Sequence, residues 1–181
     1  MFTLHKTHIQ GVCILEPKVF GDDRGYFMET FNKNDFESIG LQYDFVQDNQ
    51  SKSSKGVLRG MHIQKKHPQA KCVRVLEGEV FDVAVDMRKG SPTFGKYVSV
   101  ILSGENKKML MIPRGFAHGF LVLSENAIFA YKTDDFYHPE DEAGFKWDDK
   151  DININWPRKE GIILSEKDRR APSFKELIQK L

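Results

Sequence analysis

The sequence predicts an all-β protein, an antiparallel barrel or jelly roll with a few short helices. Two observations support this prediction. Short runs with the two-residue period of a strand recur along the chain, most clearly in Glu79–Asp86. Turn-forming residues separate these runs at regular intervals, and almost no stretch has a helical pattern. Many short strands with frequent turns are typical of a β-sandwich, jelly roll or barrel.

The most regular part of the chain predicts two or three paired strands. They cover Val57–Gln64, Lys71–Leu76 and Glu79–Asp86, and the last two meet at a turn formed by Glu77 and Gly78. In Glu79–Asp86 the side chains of Phe81, Val83 and Val85 share one face of the predicted strand.

The residues before these strands predict strands, turns and one helix. Asn32 or Asn34 can cap the helix at its start, and Gly40 ends it. The predicted elements are a strand Gly11–Lys18 ending at Pro17, a turn Gly21–Gly25, an extended segment Tyr26–Phe31, a helix Lys33–Ile39, a strand Phe45–Asn49 and a polar turn Ser51–Gly56.

The residues after the central strands continue the same alternation of strands and turns. They predict a connector Lys89–Thr93, strands Tyr97–Leu102, Met109–Ile112, Gly119–Leu123 and Asn126–Thr133, a turn Ser103–Lys107, an irregular loop Pro113–His118, a turn-rich region after Tyr137 and a terminal helix Phe174–Leu181.

Length and composition limit the classes of protein. With 181 residues, no repeat and no linker, the chain predicts one domain spanning residues 1–181. The formal net charge of +1 gives no electrostatic argument for nucleic acid or membrane partners. No apolar run suits a signal peptide or a membrane span, so we expect a cytoplasmic protein. Cys13 and Cys72 are expected to be small buried residues, not a disulfide.

Polar side chains on the central strands point to a binding site. Arg59, His62 and Lys71 together suit an anionic ligand, and His62 can exchange protons near neutral pH. The alternative is that Arg59 and Lys71 face solvent and His62 is a structural histidine of the sheet. Further candidates, each of which alone could be structural, are Arg24 with Glu29, Gln47 with Asn49, His118, Tyr131 and the charged run Ser165–Arg169.

Metal binding is not expected. Barrel metal sites often carry a His-x-His pair, but the positions two residues before and after His62 hold Gly60 and Gln64. His67 lies beside a proline in a turn, and the two cysteines are far apart in the sequence.

Six motifs together resemble the dTDP-4-dehydrorhamnose 3,5-epimerase family. In chain order they are DDRGYFMETF, FVQDNQSKSSKGVLRGMHIQ, KCVRVLEGEVFDVAVDMRKGSPTFG, IPRGFAHGFLVLSE, YKTDDFYHPEDEAGFKWDD and ILSEKDR. The resemblance runs from about Ile9 to Arg169 and implies a cupin-type jelly roll, a homodimer and no cofactor. It implies a dTDP-4-dehydro-6-deoxy-sugar as the substrate, on the way to dTDP-L-rhamnose.

The resemblance also implies roles for individual residues. His62 matches the catalytic base and Tyr131 the acid, while Lys71 matches the lysine near the keto oxygen and Asp168 the partner of the histidine. Ile63 and Gln50 stand where aromatic residues are common in the family. The positions that match substrate contacts are Arg24, Glu29, Gln47, Asn49, Arg59, His118, Glu142 and Lys167.

Three alternatives remain open at the level of sequence. A related epimerase could invert only C3 or only C5, and a cupin-type 3,4-ketoisomerase would have a similar chain. A non-catalytic nucleotide-sugar binding module belongs to a different class, but it would need neither a base nor an acid.

The spacing of Arg59 and His62 makes a structural prediction. Their odd separation places them on opposite faces of a regular strand. If both contact one ligand, we expect a bulge or kink at Gly60.

Overall fold

Two antiparallel sheets face each other in the computed structural model, which describes residues 1–180. The six-stranded sheet has the order β1-β2-β10-β7-β12-β5, and the five-stranded sheet has the order β13-β6-β11-β8-β9. The strands are β1 (Phe2–Lys6), β2 (Cys13–Pro17), β3 (Val19–Asp22), β4 (Gly25–Met28), β5 (Gln47–Ser54), β6 (Leu58–Gln64), β7 (Lys71–Glu77), β8 (Glu79–Asp86), β9 (Tyr97–Ser103), β10 (Met109–Ile112), β11 (Phe116–Val122), β12 (Asn126–Thr133) and β13 (Glu142–Gly144).

The helices are few and short. They are α1 (Lys33–Ser38), α2 (Glu166–Arg169) and α3 (Phe174–Ile178), with one 3-10 turn at Pro139–Asp141. The strands β3 and β4 form a separate hairpin. The predicted all-β jelly roll is therefore confirmed. No helix among the described residues is both long enough and apolar enough to cross a membrane.

The main core lies between the two sheets. Val73 and Phe129 from the six-stranded sheet pack with Val80, Leu102 and Phe120 from the five-stranded sheet. Burial of large apolar side chains here holds the sheets together, at about 1.5–3 kcal/mol for each fully buried side chain.

Two further cores cover the outer faces of the sheets. The C-terminal segment brings Trp156 and Phe174 against Val83 and Leu121 of the five-stranded sheet. On the other side, Phe36 of α1 packs with Cys13 and Cys72. Both cysteines are free, and burial raises the pKa of Cys13 to about 11 and that of Cys72 to about 12. The expectation of two small buried residues is confirmed.

Most predicted elements lie where the sequence placed them. The central strands agree to within one residue, and Glu79–Asp86 agrees completely. The helix α1 is capped by Asn32, whose side chain accepts a hydrogen bond from the backbone of Asp35, and Gly40 follows it at a φ of +85°. The terminal helix starts at Phe174 as predicted, but its predicted end, Leu181, lies outside the described residues.

Two predicted boundaries are wrong. The strand predicted at Phe45–Asn49 begins at Gln47 and continues through the predicted turn Ser51–Gly56 as far as Ser54. This sequence is almost entirely polar because β5 is an edge strand that pairs only with β12. The loop predicted at Pro113–His118 ends earlier, since Phe116–Val122 is a strand that is buried on both faces and so shows no alternation.

Candidate active site

A cavity of about 510 Å³ lies between the two sheets. It brings together seven of the twelve predicted site residues, although they come from six separate parts of the chain. These are Asn49, Arg59, His62, Lys71, His118, Tyr131 and Asp168.

The two sheets supply opposite walls of the cavity. Arg59 and His62 lie on β6, and His118 lies on the neighbouring strand β11, directly across from His62. On the other wall, β12 carries Tyr131, with Asn49 as its partner on β5. Lys71 at the start of β7 belongs to the same wall, and its Nζ lies 5.8 Å from the centre of the Tyr131 ring.

Gly60 allows one strand to point both Arg59 and His62 into the cavity. It has a φ of +123°, and the pairing of β6 with β11 shifts register between His62 and Arg59. A Cβ at this position would lie 2.6 Å from the Cα of Gly119, so a side chain has no room. The irregularity predicted at Gly60 is confirmed.

His62 is paired with a carboxylate. Its Nε2 lies 2.6 Å from Asp168 Oδ1, and Asp168 Oδ2 accepts a hydrogen bond from Ser165 at 2.8 Å. Burial opposes ionisation of Asp168, which is 5% exposed, but the bonds from His62 and Ser165 keep its pKa below the usual value. Since Asp168 is ionised, it accepts the proton of Nε2, and the lone pair of His62 is on Nδ1.

The C-terminal segment delivers Asp168 to the cavity. Ile163 forms a parallel bridge with Val57, just before β6, and Ser165 then caps the start of α2. The four residues of α2 include Asp168, so the charged run of the sequence is a short helix with one buried side chain.

Lys71 and Tyr131 supply a cation and a phenol on the wall opposite His62. Burial lowers the pKa of Lys71 to about 8, while the charges of Glu142 and Asp82 act to raise it. Burial is also the main cause that raises the pKa of Tyr131, followed by the charge of Glu142. The Tyr131 hydroxyl therefore keeps its proton at neutral pH.

His118 forms a second histidine–carboxylate pair, deeper in the barrel. Its Nε2 lies 3.0 Å and 3.1 Å from the two oxygens of Asp82, which is fully buried. The ring stacks on Phe129, and Phe129 stacks on Phe120 with 4.1 Å between ring centres. Sequence reasoning missed Asp82; the available signal was a carboxylate in the middle of the strand Glu79–Asp86, between apolar neighbours on both sides.

Glu142 lies beside His62, outside the lining of the cavity. Its Oε1 is 3.8 Å from His62 Nδ1 and forms an ion pair with Lys167, and its Oε2 accepts a hydrogen bond from Tyr137 Oη at 2.6 Å. Gln47 connects Asn49 in the cavity with Tyr137. Its Nε2 donates a hydrogen bond to Asn49 Oδ1, and its Oε1 accepts one from the backbone of Tyr137. Sequence reasoning gave no role to Tyr137.

The arrangement suits proton transfer at a bound carbonyl compound. A histidine faces a phenol across the cavity, and a lysine lies on the phenol's side. A carbon between the walls could lose a proton to one side and gain one from the other. Among residues 1–180 there is no group of three or more His, Cys, Asp or Glu side chains that could hold a metal ion.

Comparison with known proteins identifies the family. A family model described as dTDP-4-dehydrorhamnose 3,5-epimerase matches residues 6–176.

The chain belongs to this family.

Similar proteins and solved structures support the assignment to this epimerase family. The chain is 56% identical to dTDP-4-dehydrorhamnose 3,5-epimerase of Escherichia coli (strain K12) over 176 residues, which cover 96% of this chain and 95% of the relative. A Legionella pneumophila 3,5-epimerase, solved in complex with dTDP-4-keto-L-rhamnose, superposes with a TM-score of 0.96 at 51% identity, covering 99% and 96% of the two chains. The two-sheet barrel is the cupin-type jelly roll expected for such epimerases.

A structural relative with a narrower activity is also similar. ChmJ of Streptomyces bikiniensis, described as a 3'-monoepimerase, superposes with a TM-score of 0.91 at 31% identity, covering 97% of this chain and 89% of its own. The fold of the epimerase family therefore does not by itself fix the number of inverted carbons.

Two of the predicted epimerase residues lie apart from the cavity. Arg24 is at the exposed tip of the β3–β4 hairpin and pairs with Asp22. Glu29 follows this hairpin and accepts hydrogen bonds from Asn32 and the N-terminal amine. Within one chain, neither side chain lines the cavity that holds His62.

Replacing Asp168 with asparagine is expected to slow the epimerase without abolishing its activity. Asparagine fits the same space but carries no charge to fix the His62 tautomer and stabilise the imidazolium. A hydrogen bond to a charged group contributes about 1.5–3 kcal/mol, which corresponds to a loss of about 10- to 150-fold in rate. Steady-state kcat is the measurement, with Asp148→Asn, on the turn after Trp147, as the control. A rate equal to that of the wild type would show that the charge of Asp168 does not assist His62 in catalysis.

Proposed function

We propose that this protein is a dTDP-4-dehydrorhamnose 3,5-epimerase. It inverts C3 and C5 of dTDP-4-dehydro-6-deoxy-D-glucose through enolate intermediates, on the way to dTDP-L-rhamnose. One observation carries the proposal: the His62–Asp168 pair lies on one wall of a cavity, and Tyr131 lies on the wall opposite.

The chemistry of the sugar explains this arrangement. Both C3 and C5 are bonded directly to the C4 carbonyl carbon, so the proton on each becomes acidic when the resulting enolate is stabilised. In the chair form of this sugar the hydrogens on C3 and C5 lie on the same face. One base, His62 Nδ1, can therefore remove both, while Tyr131 returns protons to the other face. Inversion at each carbon follows.

Lys71 stabilises the charge that develops on the ketone oxygen. Its ammonium lies on the same wall as Tyr131, and no carboxylate of residues 1–180 forms an ion pair with it. A cation aimed at a developing oxyanion lowers the barrier most in a cavity that excludes water.

The remaining predicted residues fit a nucleotide sugar. Arg59 offers a guanidinium group to the diphosphate, and among residues 1–180 this group bonds only to the hydroxyl of Ser53. The Nδ2 of Asn49 is buried without a hydrogen-bond partner among the described residues, so a bound sugar hydroxyl would satisfy it. We assign substrate binding to Asn49, Arg59 and His118 in the cavity, to Gln47, Glu142 and Lys167 at its edge, and to Arg24 and Glu29 at the hairpin.

The names of the relatives support the substrate and the double inversion. The 56% identical relative from Escherichia coli is named as a 3,5-epimerase, and the Legionella structure holds dTDP-4-keto-L-rhamnose. The alternative of a single inversion is favoured only by the more distant ChmJ, at 31% identity.

Proton NMR of the substrate incubated with the protein in D2O tests the proposal. Deuterium at both C3 and C5 is the expected result, because each inversion replaces a carbon-bound hydrogen with one from solvent. Deuterium at one carbon would identify a single epimerase. Absence of deuterium from both carbons would indicate that the protein is a non-catalytic nucleotide-sugar binding module.

We propose further that two copies of the chain form the active enzyme. The β3–β4 hairpin exposes Phe20, Tyr26 and Phe27, each more than half exposed, and this is unusual for an isolated chain. A second copy that covers this hairpin would also receive Arg24 close to its own cavity. Sedimentation at micromolar concentration should give a dimer, and Phe27→Glu should weaken it; a wild-type monomer would contradict this proposal.

The reaction is expected to need no metal. The enolate is stabilised by Lys71, and deprotonation relies on His62, so no step requires a Lewis acid. Prolonged dialysis against EDTA should leave kcat within about twofold of the untreated value. A loss of activity that one divalent ion restores would overturn this prediction.

The cytoplasm is the proposed location of the enzyme. Its two cysteines are buried free thiols, as is usual for proteins of a reducing compartment.

A further inference from the structure

If the function proposed above is correct, His62 must act as a base twice, once for each inversion. After the first inversion His62 carries the proton taken from carbon, and Tyr131 has given its own away. A second inversion in the same binding event requires His62 to lose its proton and Tyr131 to regain one. His62 therefore needs a route to solvent while the sugar occupies the cavity.

The proton has to leave from Nδ1. The other nitrogen, Nε2, is bonded to Asp168, which is 5% exposed and already accepts a hydrogen bond from Ser165. Departure from Nε2 would also leave the lone pair facing Asp168 and the remaining hydrogen facing the sugar. That tautomer cannot act as a base at C3 or C5.

Glu142 is the acceptor group next to Nδ1. Its Oε1 lies 3.8 Å from Nδ1, just beyond a hydrogen bond, so a small side-chain rotation closes the gap. The carboxylate also contacts Lys167 and Tyr137. Both of these side chains are at least half exposed to solvent. The side chain of Glu142 is 12% exposed. The carboxylate thus offers Nδ1 a connection to solvent when a bound sugar fills the cavity.

We propose that Glu142 takes the proton from His62 between the two inversions and passes it to water. In the first step the Nδ1–H bond breaks and an Oε1–H bond forms, which leaves neutral His62 and a carboxylic acid. In the second step the acid releases its proton to water and becomes a carboxylate again. The Tyr131 phenolate takes one proton from water, so the protein returns to its starting state with no net charge change.

The electrostatics of Glu142 fit a relay that never stores the proton. Burial acts to raise its pKa, but the contacts with Lys167, Tyr137 and His62 lower it below the usual value. A carboxylic acid formed here gives its proton up quickly, and the carboxylate is ready for the next transfer.

The substitution Glu142→Gln tests the relay. Glutamine can keep the contact with Tyr137 but cannot accept a proton. With enzyme in excess over substrate, any loss of substrate binding slows both inversions, so the readout is the ratio of the two rates. The second inversion should slow by about tenfold or more relative to the first, so the singly inverted sugar accumulates and is released. Glu140→Gln, with the same charge change at an exposed position on the same loop, should give no accumulation.

Chemical rescue separates proton transfer from a structural role. Glu142→Ala leaves room for a small carboxylate, so added formate should remove the singly inverted sugar in proportion to its concentration, and equal concentrations of chloride should not. The relay is refuted if Glu142→Gln makes the doubly inverted sugar without accumulation, or if both inversions slow by the same factor. A wild-type protein that exchanges neither carbon in D2O would instead refute the proposed function.

Discussion

Replacing His62 with alanine should abolish deuterium exchange at both C3 and C5 of the substrate. The His62 side chain has a lone pair that faces the cavity, and its partner Asp168 stabilises the charged form of the ring. General-base catalysis contributes about 10²–10⁴-fold, and loss of the proposed base should bring the exchange rate to the lower limit of detection. The measurement is proton NMR in D2O, followed for long enough to detect a rate about 10⁴-fold below that of the wild type.

Binding must be measured beside exchange in this variant. His62 contacts the sugar and not the nucleotide in the proposed complex, so the affinity for dTDP should stay within about twofold by calorimetry. His5→Ala, on strand β1 with a side chain 49% exposed, is the matched control and should exchange both protons at the normal rate. Normal exchange in His62→Ala would show that another group, such as His118 or Lys71, is the base.

The contact between His62 and Asp168 could not be predicted from their spacing in the sequence. His62 and Asp168 are 106 positions apart, and Asp168 lies in a charged run that resembles a solvated surface. The resemblance to the family supplied the pairing. In the structure the two residues meet because the bridge between Val57 and Ile163 places the C-terminal segment beside β6.

Other features were accessible to elementary arguments. The odd spacing of Arg59 and His62 predicted an irregularity at Gly60, since only a break in the strand lets both face one cavity. Period-two alternation placed β8 correctly because Val83 and Val85 on one face pack against the C-terminal segment, while Val80 and Ala84 on the other face belong to the core between the sheets.

The two strands whose bounds were predicted incorrectly lack this alternation for different reasons. The strand β11 is buried on both faces, and Gly115 and Pro113 before it suggested a loop that would continue through His118. The strand β5 is polar because it lies at a sheet edge, and its pairing with β12 is a tertiary contact. Neither strand carries a local signal that separates it from a turn.

The substitution Tyr131→Phe should separate proton removal from inversion. Phenylalanine keeps the ring near Phe129 and Lys71 but removes the hydroxyl, which has no hydrogen-bond partner among residues 1–180 and is free to face the substrate. His62 can still form the enolate, but no acid then lies on the opposite wall. The enolate recovers its hydrogen from His62, on the face from which it was lost.

The expected product of Tyr131→Phe in D2O is therefore substrate that contains deuterium but keeps its configuration. Inversion should fall by about 10²–10⁴-fold, while exchange at one carbon at least persists. Coupling constants in the proton spectrum distinguish the two configurations. Tyr43→Phe, which removes a hydroxyl at the α1 side of the six-stranded sheet, is the control and should invert normally. Inversion at the wild-type rate in Tyr131→Phe would show that another group delivers the proton. Loss of exchange together with inversion would show that Tyr131 is needed to form the enolate, and the assignment of acid and base to opposite walls would be wrong.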